Sequence, residues 1–217
     1  SRMRDRDRSG EGVRVGATSP CAIQAGELWY GGCWGGRVLS WGMGATRYLP
    51  HYTVEDYLQW EGDWELWDGV PVAMSPSPKW VHQDAAGRLF RQIGNSLDGE
   101  QCGDCHAAYE IDWHVRENQV VRPDILVVCD VVPEDYVKVT PRLIAEFLSD
   151  STREKDLGAK RSLYAMEGVP YYIIGDPEDQ TTRLLRLEDG GYEESEDWSL
   201  ELHPGCVIEI DPGKVFG

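Results

Sequence analysis

Arg122-Pro123-Asp124-Ile125-Leu126-Val127-Val128 and Leu143-Ile144-Ala145-Glu146-Phe147-Leu148-Ser149 are short apolar runs of β-forming residues, and each holds one carboxylate. An unbroken apolar run of this length predicts a strand covered on both faces. A charge on such a strand loses most of its hydration, which is costly unless a partner compensates. Asp124 and Glu146 therefore need partners. If the two strands are neighbours, the carboxylates converge, and two such oxygens with carbonyls and water suit a hard cation such as Mg²⁺. The other reading makes each acid a strand-end residue that holds an arginine or a backbone amide.

The 217 residues allow one domain of ordinary size plus a tail. Nine tryptophans and 41% hydrophobic residues are enough for a core. No apolar run reaches the roughly 18 residues of a membrane span, and the charged opening residues lack the apolar segment of a secretory signal. The six cysteines (Cys21, Cys33, Cys102, Cys105, Cys129 and Cys206) are scattered, which predicts a reducing, cytoplasmic setting and no disulfide framework. A net charge of -17 opposes a broad nucleic-acid-binding face, because neutralising phosphates takes Lys and Arg. It leaves room for a narrow contact at a small cationic site, or for a partner subunit.

Residues 1–45 carry six Arg against four acids, many Gly and no sustained period, whereas residues 46–217 hold 15 Lys and Arg against 34 acids and net -19. The first segment reads as a disordered or non-native extension, with Met43 the expected natural start and a functional basic arm the alternative. The body, 46–217, is expected to form one domain. Thr53 can cap a helix opening at Val54, and Asp68-Gly69 is the two-residue turn of a hairpin over 64–74. Residues 75–78 read as a loop and 82–97 as a helix, with Ala86, Leu89, Phe90, Ile93 and Leu97 at helical spacing. Residues 107–115 alternate as one strand. A helix over 153–166 follows the Glu146 strand, ended by Gly168 and Pro170, and 171–175 form another covered strand. A polar hairpin over 181–194 and a strand-like C-terminus complete the order. That order points to a mixed α/β (α+β) sandwich rather than a doubly wound parallel sheet.

A two-carboxylate cation site for hydrolysis usually needs a cationic or proton-handling group beside it. On the helix 153–166, at about 100° per residue, Lys160 falls inside the apolar arc with Leu157, Leu163 and Tyr164, whereas Lys155 falls at the edge of the polar arc. A lysine in a buried stripe needs a partner. Asp156, four residues earlier, is one candidate; the Asp124/Glu146 pair is the other.

Thr53-Val54-Glu55-Asp56-Tyr57, Glu65-Leu66-x-Asp68-Gly69, Arg122-Pro123-Asp124, Glu146-x-Leu148-Ser149, Asp156-Leu157-Gly158-x-Lys160 and Tyr164-x3-Gly168-Val169-Pro170-x-Tyr172 occur in that order. Each is weak alone. The ordered set, from about residue 50 to the C-terminus, resembles the Uma2 (DUF820) endonuclease family of the PD-(D/E)XK nuclease superfamily. The resemblance implies a restriction-endonuclease-like core, a mixed sheet flanked by helices with added β-hairpins. It also implies a Mg²⁺- or Mn²⁺-dependent phosphodiesterase site acting on nucleic acid, DNA above RNA, in a two-fold dimer. It carries Asp124 and Glu146 onto the chain as metal ligands, with the Phe147 carbonyl as a third. The superfamily's usual Lys stands two residues after the Glu, where this chain has Leu148; Lys160 is the expected substitute. Glu65 and His82 are further candidates, Glu65 for a second metal or the first site's water, His82 for a proton or a phosphate. Their plain readings are a strand-edge acid and a helix cap.

Cys102-Gly103-Asp104-Cys105-His106 matches a haem-attachment pattern, but no export signal precedes it and no second axial ligand is placed. As half a zinc site it lacks a second Cys pair, and His114 and His203 lack ligand spacing. No G-x-S-x-G elbow and no Gly-rich phosphate loop are present. The expected function is divalent-metal-dependent hydrolysis of nucleic acid. The alternative is a nuclease-fold module without turnover that acts through protein partners, and the body's -19 charge and Leu148 favour it.

Overall fold

The two apolar runs do lie side by side. The structure is a computed structural model that describes residues 50–74 and 79–217. The expectations for residues 1–45, Met43 included, and for the loop at 75–78 fall outside the described residues, as do Cys21 and Cys33.

The helical turn α1 (Val54–Tyr57) has a reciprocal cap. Asp56 donates its N–H to the Thr53 hydroxyl, and the Asp56 carboxylate accepts the Thr53 N–H. Strands β1 (Trp64–Trp67) and β2 (Val70–Ala73) form the expected hairpin, with Asp68 and Gly69 at φ 45° and 79°, the positive values such a turn needs. Helix α2 (Trp80–Leu97) leads to β3 (Cys105–Tyr109), β4 (Trp113–Arg116), β5 (Gln119–Val121), β6 (Ile125–Cys129) and β7 (Leu143–Phe147). A wide π-type turn, Lys155–Lys160, runs into helix α3 (Arg161–Met166). Strands β8 (Tyr171–Asp176), β9 (Thr181–Glu188), β10 (Gly191–Ser195), β11 (Ser199–His203) and β12 (Cys206–Glu209) follow.

The main sheet has the order β10-β9-β8-β7-β6-β3 and is parallel only between β7 and β8, the two strands that flank α3. A second sheet has the order β2-β1-β5-β4, and β11 pairs with β12. The main sheet is buried on both faces, which explains why β6, β7 and β8 read as unbroken apolar runs. On one face Ile125, Val127, Ala145 and Ile173 pack against Leu89 and Ile93 of α2. On the other, Leu126, Val128, Ile144 and Ile174 pack with Leu163 and Tyr164 of α3.

Three expectations are corrected. The strand over 107–115 is two strands. Glu110 takes φ 48°, and the chain leaves the main sheet after β3 to enter the second sheet as β4. Asp124 does not sit inside its strand but immediately before β6, where the backbone breaks between β5 and β6. The cysteines are not all unpaired: Cys102 is bonded to Cys206 and Cys105 to Cys129, a pairing that distant sequence positions concealed.

Candidate active site

β7 alternates. Ala145 and Phe147 enter the core under α2, while Ile144 and Leu148 enter the core under α3. Glu146 has the parity of the second pair and so faces the Lys155–Lys160 turn and α3. Its Oε1 accepts from Lys160 Nζ at 2.7 Å and from the Tyr164 hydroxyl at 2.6 Å. Lys160 Nζ also lies 3.4 Å from Glu65 Oε1 and 3.6 Å from Asp156 Oδ1. Lys160 thus meets its i,i+4 acid Asp156 and, of the Asp124/Glu146 pair, Glu146. Glu65, Glu146, Asp156 and Lys160 are each no more than 3% exposed.

Glu65 arrives from β1, in the other sheet. Its Oε2 accepts from Lys155 Nζ at 2.6 Å and from Trp67 Nε1 at 3.0 Å, and its Oε1 from the Arg122 backbone N–H at 3.1 Å. Asp124 stands at the head of β6. Its Oδ2 accepts the Phe147 N–H at 2.6 Å and faces His82 Nε2 at 3.4 Å. That single pairing locks the start of β6 to the end of β7. A strand residue presents its N–H and C=O to the same neighbour, so the Phe147 carbonyl lies on the Asp124 side. Neither Asp124 Oδ1 nor Glu146 Oε2 has a hydrogen-bond partner among the described residues. Glu65, His82, Asp124, Glu146, Phe147 and Lys160 all line one cleft of about 630 Å³.

Four carboxylates (Glu65, Asp124, Glu146 and Asp156) face two ammoniums (Lys155 and Lys160), a formal charge of -2 with His82 neutral. The local balance is uneven. Burial pushes Glu146 up, to about 8, and the charges of Asp156 and Asp124 add to the rise against the pull of Lys160. Burial acts to raise Glu65 too, but Lys160 and Lys155 outweigh it and hold that carboxyl at about 2. Burial likewise opposes charge on Lys160, yet Glu146, Glu65 and Asp156 keep its ammonium well above the ordinary lysine range. Burial, with the charge of Asp124, raises Asp156 despite Lys160, Thr152 and Lys155. His82 is raised: burial opposes charging, but the Asp124 carboxylate and the Phe147 backbone prevail. The cluster is thus a buried site short of positive charge. Its unpartnered groups are carboxylate oxygens, the chemistry a hard divalent cation takes.

Lys155 is the residue that periodicity misplaced, at the edge of the polar arc. In an α-helix, residues five apart diverge by about 140°. A turn closed by i→i+5 bonds brings them nearly into line. The segment Lys155–Lys160 is such a turn, and it points both lysines at Glu65. Arg122, by contrast, spends its guanidinium on Asp112 (2.7 Å) and Asp63 (2.8 Å).

The profile of the Uma2 family, described as "Putative restriction endonuclease", matches residues 54–211. The chain belongs to the Uma2 family. The match takes in every element from α1 to β12, and with it every residue of the cleft named above. A relative from Synechocystis, "Uncharacterized protein slr1290", is 35% identical over 154 residues, 66% of this chain and 79% of its own length. The fold is also that of a crystallised protein from Anabaena variabilis described as a putative nuclease belonging to DUF820. That match has TM-score 0.61 and 14% identity, and covers 76% of this chain and 97% of the other. The Uma2 fold is therefore the mixed α+β core that the ordered motifs imply. Among the described residues no helix is long and apolar enough to cross a membrane.

Proposed function

We propose that this Uma2 chain is a hydrolase of phosphodiester bonds in nucleic acid, with DNA as substrate, and that it uses Mg²⁺ or Mn²⁺ held by Asp124 and Glu146. One observation supports the reading above all: Glu65, Asp124, Glu146 and Asp156 share one cleft with Lys155 and Lys160, and an oxygen each of Asp124, Glu146 and Asp156 has no hydrogen-bond partner among the described residues. The family description agrees with it. A cation bound there would lower the pKa of a water and offset charge on the phosphate.

The chain's own residues prepare that chemistry. The Phe147 N–H and His82 fix the Asp124 carboxylate, whose second oxygen would be left to hold the ion, with the Phe147 carbonyl as the third group that would hold it. Tyr164 and Lys160 fix Glu146 in the same way. Lys160, with its side chain 4% exposed, is a positioning group, whereas Lys155, at 24%, is the ammonium nearer the solvent and the one placed to meet a phosphate. Glu65 holds both lysines in register. His82 keeps its proton shared with Asp124 and stands ready to pass it to a leaving oxygen. The acidic body confines contact to this cleft, a two-fold dimer brings two clefts to two strands, and the chain works in the cytoplasm.

Supercoiled plasmid incubated with Mn²⁺ tests the reading. The chain is expected to nick it, and Asp124→Ala to lose at least about 100-fold, since metal-ion stabilisation is worth several kcal/mol. Nicking that survives the substitution removes Asp124 from the site. The competing reading, a module without turnover, is favoured by the full engagement of Lys160 with acids and by Leu148 at the usual lysine position. It predicts no nicking and no heat on Mn²⁺ titration.

A further inference from the structure

Four cysteines that are far apart in sequence meet at the end of β6 opposite Asp124. Cys102 ends the short 3-10 turn Glu100–Cys102, Cys105 opens β3, Cys129 closes β6 and Cys206 opens β12. All are at most 6% exposed. Cys105 and Cys129 are direct cross-strand partners, and they are bonded; Cys102 is bonded to Cys206. The two bridges touch, with Cys105 Sγ 3.9 Å from Cys206 Sγ. Four sulfurs thus occupy one buried locus.

We infer that this locus is a zinc site in its oxidised form, and that in the reduced chain Cys102, Cys105, Cys129 and Cys206 hold one Zn²⁺ as a tetrathiolate. Two observations converge on it. Cys102-x-x-Cys105 has the spacing of a zinc ligand pair, and the fold supplies the second pair that the sequence lacked. With Zn–S bonds of about 2.3 Å, the sulfurs of a tetrahedral site stand about 3.8 Å apart, close to the Cys105–Cys206 separation of 3.9 Å. A nitrogen of His203 lies within 4.8 Å of the Cys105 and Cys129 sulfurs, so the locus is also flanked by a polar ring. Both ring nitrogens already face oxygens, Nε2 the Asp104 carboxylate at 3.0 Å and Nδ1 the Pro204 carbonyl at 3.2 Å. His203 therefore stands beside the sulfurs and is not a ligand.

The chemistry balances. Two equivalents of a dithiol reductant give four electrons and four protons to the two disulfides and leave as two disulfides of their own. Zn²⁺ then displaces the four thiol protons. The ion would join the β11–β12 hairpin to β3 and β6, and so brace the strand that Asp124 heads from its far end, about 17 Å away. The inference does not depend on the reading of the cleft, and neither result decides the other.

The test uses the full chain, produced with zinc and kept under a dithiol reductant without oxygen. Elemental analysis and native mass spectrometry are expected to find about one zinc per chain. Co²⁺ in place of zinc is expected to give intense thiolate-to-cobalt absorption in the near ultraviolet. The Co²⁺ spectrum needs no substitution, so it stands even if the cysteine variants do not fold. Cys129→Ser is expected to lose the metal, whereas His203→Ala and Asp124→Ala keep it. A reduced chain with four titratable thiols in this locus and no zinc, or cobalt bound without thiolate absorption, overturns the inference. So does loss of the metal in His203→Ala.

Discussion

Replacing Lys160 by methionine removes the cation from among three carboxylates and keeps most of the hydrocarbon volume. The consequences differ by partner. Glu65 retains Lys155, the Trp67 N–H and the Arg122 N–H. Glu146 retains only the Tyr164 hydroxyl, while being 2% exposed. Breaking a buried pair by removing one partner costs about 3–5 kcal/mol, because a buried charge is left uncompensated. For a domain of this size that is a fall in Tm of roughly 10 °C or more. The cost depends on pH. Glu146 already has a folded-state pKa raised to about 8 by burial and nearby acids, and loss of Lys160 raises it further. A carboxyl whose folded pKa lies above its unfolded value, about 4.3, stabilises fully below the unfolded value. That contribution is lost as pH rises toward and through the folded one. Urea titrations of both proteins at pH 8 and pH 5 should therefore show a large difference at pH 8 and a smaller one at pH 5. The double variant Lys160→Met, Glu146→Gln should regain much of the loss. A difference under about 1 kcal/mol at pH 8, or one equal at both pH values, would refute this picture of a buried cation holding buried acids.

Three further substitutions probe the surroundings. Tyr164→Phe removes the second donor to Glu146 and, in denaturant titration above pH 8 where Glu146 is ionised, should cost about 1.5–3 kcal/mol, the range for a hydrogen bond to a charged group. Gly175 sits opposite Phe147 across β7 and β8, and a Cβ there would meet the Phe147 ring at 2.4 Å. Gly175→Ala should therefore destabilise by about 1–3 kcal/mol and, by moving Phe147, weaken Mn²⁺ binding measured by calorimetry. Arg153 grips Asp176 at 2.8 and 2.9 Å and holds that carboxyl below its usual range. Its stabilisation is present above the unfolded pKa of about 3.9 and lost as pH falls through the folded value. Asp176→Asn should thus flatten the acid limb of the stability curve below about pH 4, and only slightly, because Arg153 is partly exposed.

The β6–β7 pair and its two acids were legible in the chain because burial on both faces leaves an unbroken apolar run, against which a carboxylate stands out. Lys160 was legible for the same reason on a helix, as a charge inside an apolar arc. The inward turn of Lys155 was not, because 3.6 residues per turn puts it at the edge of the polar arc, whereas the backbone there closes i→i+5. The break at Glu110 was hidden by an alternation that runs on from Ala107 to Val115 although the residues belong to two sheets. The meeting of Cys102 and Cys105 with Cys129 and Cys206 depends on pairings up to 104 residues apart, which no local pattern reports. Glu65 was read as a candidate from its place among the ordered motifs; its contact with both lysines comes from the second sheet closing over the first.

Crystals of the chain soaked in Mn²⁺ and measured at an anomalous wavelength test the proposed centre most directly. A peak is expected within about 2.5 Å of one carboxylate oxygen each of Asp124 and Glu146, and it should vanish in Asp124→Asn. At saturating Mn²⁺, an ordered peak away from both carboxylates, or none in the cleft while Lys160 stays bonded to Glu146, would contradict it.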